Sequence, residues 1–214
     1  MKRHRKLTAN LLRIATHVGA LLPLALLVWG FYADALGADP VRELTLRTGK
    51  AAIILLVLSL ACTPLNILFG WKAVLPLRKP LGLYAFLYVS LHLLVFVYLD
   101  YGFNWGLIQT AIFEKRYALV GFAAFLILLP LALTSTQWAM RQLGKNWKRL
   151  HKWVYLAGIL AVVHYFWLVK QAYTQPILFA LILGALLLTR VPAVKQRLVR
   201  WRRTWRKRLG LKPA

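Results

Sequence analysis

Acidic side chains are nearly missing: the 214 residues hold 5 Asp or Glu against 29 Lys or Arg. A single cysteine, Cys62, excludes an internal disulfide, a thiolate-held iron–sulfur cluster and a covalent C-x-x-C-H haem attachment. No G-x-G-x-x-G or Walker loop occurs, so the chain has no recognisable nucleotide-binding domain. Only 16% of residues are charged, against about 25% in a soluble domain. What is present is apolar: 60% of the residues, with a mean hydropathy of +0.60. Nine Trp, nine Tyr and ten Phe, set in long apolar runs, exclude a disordered basic protein. The net charge of +24 raises nucleic acid as a partner. The bases, however, are gathered in short clusters between the apolar runs rather than spread over a polar face. That is the pattern of a multi-pass membrane protein with no nucleic-acid partner.

Six runs approach the length needed to cross about 30 Å of hydrocarbon at 1.5 Å per residue. They are Ile14–Tyr32, Ala51–Phe69, Leu81–Leu99, Tyr117–Met140, Trp153–Val169 and Tyr173–Val191. Pro176 is compatible with a helix that starts near Gln175, because proline is tolerated in a first turn. No internal repeat stands out. The expected fold is all-α, an integral bundle of six transmembrane helices over residues 1–192, followed by a basic tail at 193–214.

Charge orients the bundle. Residues 2–13 carry five bases, 72–79 three, 141–152 five and 190–212 ten, so 23 of the 29 fall on one side. All five acids, Asp34, Asp39, Glu43, Asp100 and Glu114, fall in the other loops. The positive-inside rule then makes both termini cytoplasmic. The apolar run at 14–32 exceeds the 7–15 residues of a signal-peptide core, so the first span is expected to be retained. Val194, Leu198, Trp201, Trp205 and Leu209 recur at helical spacing among bases, which favours an amphipathic helix lying on anionic membrane lipid over a dock for an acidic cytosolic partner or a plain stop-transfer cluster.

Ionisable residues within spans are costly and point to function. His92 and His164 each lie eleven residues beyond the start of an uncharged run, at Leu81 and Trp153, on spans that run the same way. That is about 16 Å deep on both helices, past the midplane toward the exterior. Two imidazoles at equal depth suit the two axial positions of one haem, and equally suit hydrogen bonds across a bundle; spacing alone leaves both open. A proton relay is weakened by the lack of an embedded carboxylate. His151, thirteen residues before His164, lies about 20 Å away at the cytoplasmic end, where it reads as a ligand to a second haem, a contact of another cofactor or an ordinary interfacial histidine. Arg78 holds the corresponding place on the third span, and arginine is not an iron ligand. His17 reads as structural, and His4 carries no role. Arg78, Lys79, Arg149 and Lys152 are candidate partners for haem carboxylates or a flavin phosphate, though topology alone explains each of them.

Several stretches carry a resemblance: GADPVRELTLRTG at 37–49, LRKPLGLYAFLYVSLHLLVF at 77–96, KRYALVGF at 115–122, LALTSTQWAMRQLGKNWKRLHKWVYL at 131–156 and HYFWLVK from His164. With them the chain resembles the haem-binding membrane subunit of the bacterial periplasmic methionine sulfoxide reductase system, the MsrQ family, within the ferric-reductase-like transmembrane group. The resemblance implies a b-type haem and FMN, with electrons drawn from the quinol pool or a cytosolic flavin reductase. It implies delivery to a periplasmic molybdopterin-containing catalytic subunit, from a multi-pass protein of the bacterial inner membrane. Carried onto this chain, the family's motif histidines are His92, His151 and His164, with His92 and His164 as axial ligands. The resemblance implies an electron-transfer subunit rather than the catalytic one. A ferric reductase or a cytochrome b with another acceptor is the competing redox reading, and a cofactor-free transporter or scaffold is the competing class.

The charge split makes a direct test. Reporter fusions within Lys72–Lys79 and after Ala214 should read cytoplasmic, and fusions within Asp34–Glu43 and Asp100–Glu114 exterior. A cytoplasmic signal at Asp34–Glu43 would reverse the orientation.

Overall fold

A computed structural model describes residues 2–208. Among them the regular structure is entirely helical. Helix α1 (Lys2–Tyr32) is followed by α2 (Pro40–Phe69), which begins eleven residues before its apolar run. The reason is local: Asp39 caps the helix by accepting from the Arg42 amide, and Pro40 takes the first position, where no amide hydrogen is needed. Gly70, at φ +74°, ends α2 with its amide on Asn66 O. A 3₁₀ turn (Lys72–Leu77) leads into α3 (Arg78–Leu94), which widens into π-helix over Val95–Asp100. A short helix α4 (Trp105–Glu114), capped by Asn104, precedes α5 (Arg116–Leu133).

Here the sequence expectation fails. The run to Met140 is not one helix, because Thr134 and Ser135 turn their hydroxyls back onto Pro130 O (2.6 Å) and Leu131 O (2.7 Å). Thr136 then caps a new helix through the Ala139 amide, as Ser and Thr do when they compete with the ladder. Helices α6 (Gln137–Leu143) and α7 (Lys145–Leu150) follow, then a 3₁₀ turn (His151–Trp153) and α8 (Val154–Leu168). The chain closes with α9 (Thr174–Leu188) and α10 (Pro192–Arg208), bent 80° from one another. Leu209 of the expected tail stripe lies outside the described residues.

Apolar helices stand at all six expected places, yet among the described residues four are long and apolar enough by themselves to cross a membrane. These are Leu7–Tyr32, Pro40–Phe69, Lys72–Asp100 and Arg116–Leu133. Helices α8 and α9 have 15 residues each, or about 22 Å.

The bundle packs through small residues. Ala20, Ala85 and Ala157 are essentially unexposed, which lets the backbones of α1, α3 and α8 approach closely. With Leu55, Leu56, Leu81, Tyr88 and Leu128 they form the main core, and Ile53, Leu60, Val162 and Leu183 tie in α9. Helix α2 lies along α3, and α5 along α8; these are the principal helix pairs. Helix α1, mostly exposed, is fastened by the buried Tyr88 hydroxyl, which donates to Ala20 O at 2.7 Å. Tyr88→Phe should keep the fold but lower stability by about 0.6–1 kcal/mol, measured by reversible unfolding in mixed micelles.

Candidate functional site

His92 faces α2 from α3, and His164 faces α5 from α8. His92 Nδ1–H donates to Thr45 O at 2.9 Å, with Thr48 Oγ1 at 3.5 Å. His164 Nδ1–H donates to Tyr117 O at 2.6 Å. A carbonyl only accepts, so each bond places the ring proton on Nδ1 and leaves the Nε2 lone pair free. Both acceptors lie 47 residues before their histidine. Each is followed one helical turn later by a glycine, Gly49 or Gly121.

These glycines are required by close approach. A Cβ on Gly49 would lie 3.1 Å from His92 Cε1, and one on Gly121 2.6 Å from His164 Nδ1. In a helix the carbonyl at i already serves the amide at i+4, and its second lone pair is reached over the side-chain position of that residue. Glycine opens that route. The carbonyl, glycine and histidine therefore form one module that occurs twice, an internal repeat invisible to inspection because it comprises three residues in helices of otherwise different sequence.

The two modules meet at one cavity of about 620 Å³, within the usual range for a small-molecule or cofactor site. The imidazole centroids are 6.1 Å apart with ring planes at 87°. Two metal–nitrogen bonds of about 2 Å in line would place the centroids of two ligand imidazoles about 6 Å apart. The walls are apolar: Leu56, Val89 and Leu128 among aliphatics, and Phe96, Phe122 and Phe125 among aromatics. Phe122 and Phe125 stack at 6.4 Å, and Phe86 continues the stack behind them at 5.9 Å. Among the described residues no three His, Cys, Asp or Glu converge as a metal site, and the two histidines of the cavity are the imidazole pair His92 and His164.

At the acid-bearing end of the bundle the lining turns polar, with Lys50, Asp100, Tyr101 and Lys115. Lys115 Nζ donates to Tyr101 Oη at 3.0 Å. That hydrogen bond raises the lysine pKa above its ordinary value, so the ammonium is fully charged at neutral pH. The π-helical turn directly after His92 carries Phe96 and Asp100 to the lining, and such widened turns recur at functional sites.

The other expected residues lie elsewhere. His151 is outside the cavity: its ring stacks on Trp147 at 3.9 Å, Nδ1 lies 3.1 Å from Trp147 O and Nε2 3.5 Å from Ser135 Oγ. Burial lowers its pKa, keeping the ring neutral at neutral pH. Trp147 Nε1–H donates to Thr134 O, so the TSTQ and GKNWKRLH stretches build one cluster. His17 contacts the Tyr84 hydroxyl at 2.8 Å, in keeping with a structural role. Arg78 reaches Thr63 Oγ1 at 3.1 Å and Leu75 O, away from the cavity, and Lys79, Arg149 and Lys152 do not line it either. The cavity's cations, Lys50 and Lys115, went unremarked in the sequence because positive-inside reasoning directs attention to the richer end.

Residues 48–162 match the family described as "Ferric reductase like transmembrane component", a stretch that includes His92 and His151 and ends just before His164. A protein of Xanthomonas axonopodis pv. citri (strain 306), named "Protein-methionine-sulfoxide reductase heme-binding subunit MsrQ", is 49% identical over 82% of this chain and 83% of its own length. The protein of the same name from Rhodospirillum rubrum is 46% identical over 86% of this chain and 90% of its own length. That of Xanthomonas campestris pv. campestris (strain 8004) is 48% identical over 84% and 85%. No solved structure matches the chain.

The glycine cradles predict graded damage. Gly121→Ala must push His164 off the Tyr117 carbonyl and should cost about 1–3 kcal/mol, with Gly49→Ala costing less. Thermal denaturation measures the stability. Nitrogen-15 shifts should show the imidazole of the first variant losing its fixed Nδ1–H tautomer.

Proposed function

This chain belongs to the MsrQ family of haem-binding subunits of protein-methionine-sulfoxide reductase, ferric-reductase-like multi-pass membrane proteins, and we propose that it carries single electrons across the bacterial inner membrane through a b-type haem between His92 and His164. The acceptor is a periplasmic molybdopterin-containing methionine sulfoxide reductase catalytic subunit, so that oxidised periplasmic proteins are repaired. The donor is the quinol pool or a cytosolic flavin reductase. The observation that carries the reading is the pair of imidazoles, each with Nδ1 held by a backbone carbonyl and both lining one apolar cavity.

The donor set fits the group. Neutral imidazole is a haem-iron ligand, and an Nδ1–H bound to a carbonyl fixes ring orientation and raises ligand basicity. Gly49 and Gly121 leave room for that arrangement. The phenylalanine and aliphatic walls exclude water and give a flat ring an apolar enclosure. Lys50 and Lys115 line the polar end of the cavity as two cations that could pair with the group's carboxylates. His92 and His164 would hold the haem, which when bound would supply one-electron chemistry rather than oxygen activation.

The polar end is the exterior one under the charge-derived topology, which orients the edge of the site toward a periplasmic acceptor. His151 belongs to the opposite end. We assign it to a second haem or to an FMN at the point of electron entry, supported by its place in the Trp147–Ser135–Thr134 cluster.

Spectroscopy of detergent-purified protein tests this reading. Haem-replete expression should give a b-type Soret band with low-spin signals in electron paramagnetic resonance. His92→Ala and His164→Ala should each lose the low-spin species and weaken haem retention by about tenfold or more. His151→Ala should spare that species and slow reduction from the cytoplasmic side. Full low-spin haem in His92→Ala, together with its loss in His151→Ala, would overturn the ligand assignment.

A further inference from the structure

The end of the bundle opposite the histidine cavity holds an uncompensated charge. Arg190 sits in the break between α9 and α10 with its guanidinium turned inward. Nη1–H donates to the Tyr155 hydroxyl at 2.6 Å and Nη2–H to Leu60 O at 2.8 Å, and Cζ lies 4.6 Å from the Tyr155 ring centroid. All three partners are neutral. Its Nε is buried and has no hydrogen-bond partner. A half-buried arginine whose Nε is unpartnered is costly, and among the described residues nothing on this face can serve as its counter-ion. All five acids lie in residues 34–43 and 100–114, and the one ion pair among the described residues is Arg47–Glu43.

Beside Arg190 is a groove of about 510 Å³, lined by Pro192, Lys195, Gln196, Val199, Arg200 and Arg203 as well as Arg190 itself. Four cations and one amide thus meet two apolar side chains. The groove is built rather than incidental. The 80° bend turns α10 away from the axis of α9, and Arg202 Nη1–H clips α10 to the end of α2 through Asn66 O at 2.7 Å. Trp201 and Trp205 are exposed on α10, and with α9 taken as spanning the membrane the 80° bend would lay α10 near the level of lipid headgroups, where such aromatics are favoured. Helix α9 keeps Leu181 and Leu188 exposed, an apolar face leading up to the corner.

We propose that this corner is a binding site for one anionic glycerophospholipid, whose phosphodiester is held by Arg190, Lys195, Arg200 and Arg203 and whose acyl chains lie along α9. The charge calls for an anion, since phosphate oxygens match guanidinium geometry and supply what no carboxylate of the chain supplies. The apolar wall and the level of the groove select a lipid over a free ion or an acidic protein. The bound headgroup offsets part of the corner's positive charge and fixes the angle between α9 and α10. This goes beyond general adhesion of a basic helix, which asks for charge anywhere on the surface and no particular corner.

The test uses the full chain in uncharged detergent, with lipid binding followed by native mass spectrometry. Short-chain phosphatidylglycerol should saturate at one molecule per chain, and phosphatidylcholine should not compete. The double variant Arg200→Gln/Arg203→Gln should bind roughly twentyfold more weakly, at about fivefold per cation. Lys145→Gln/Lys148→Gln, which removes equal charge from the same end, should bind as the parent does. Arg190 is left intact because its own contacts hold α2 and α8. Equal loss in the two double variants would reduce the effect to general surface charge and overturn the site. So would phosphatidylcholine binding as tightly, inorganic phosphate binding as tightly as the lipid, or an oligoglutamate peptide displacing the lipid at equal concentration.

Discussion

The donation of an imidazole Nδ1–H to a helix carbonyl is the contact on which the rest of this structure turns. A membrane-embedded histidine must satisfy one nitrogen and expose the other, and few side chains within a span can do the first. The backbone does it here, with the spare lone pair of a carbonyl that already closes a helical turn. This choice imposes a glycine one turn on, at Gly49 and Gly121, and presses the paired helices together. The principal pairings of the bundle, α2 with α3 and α5 with α8, are the pairs that share such a bond. Site and scaffold therefore answer to one constraint.

Much of this was legible beforehand. Long apolar runs placed the helices, and the matched depth of His92 and His164 singled them out from five histidines. Arithmetic on spans works because a helix in lipid advances at a fixed rise with its backbone internally bonded. Helix ends were less legible, since they depend on side chains competing with the ladder. Thr134 and Ser135 ended α5 well short of Met140, although hydropathy saw no break. Asp39 and Pro40 carried α2 eleven residues past its apolar portion. The glycine cradles could not be read, because glycine is common in membrane helices and only the partner's position gives it meaning.

Charge is legible from the sequence in bulk and not in detail. Counting bases sorts the loops, but a count treats each cation as equivalent. In the structure they are not. Lys115 is hydrogen-bonded to Tyr101 at the polar end of the cavity, Arg78 is spent on Thr63, and Arg190 is turned inward against Tyr155. The poorly charged end thus holds the two cations that line the histidine cavity, and the richly charged end holds Arg190, whose Nε is buried without a partner.

These two ends impose different tasks on one small bundle. The histidine pair lies toward the acid-bearing end: its carbonyl partner Thr45 is about 8 Å along α2 from Pro40, whereas Phe69 is about 36 Å from Thr45. A one-electron site there stands close to an acceptor at that end and far from a donor at the other. The intervening length is filled by the aliphatic core around Leu56, Leu81 and Ala157, which contains no second inward-facing imidazole pair among the described residues. The His151 cluster occupies the basic end, where an electron entering under the proposed topology would first meet the protein. A corner that holds α10 in place through lipid would keep that entry face in fixed register with the membrane. The separation of cavity, His151 cluster and basic corner along one bundle is then the arrangement that the proposed directional transfer across a membrane would use.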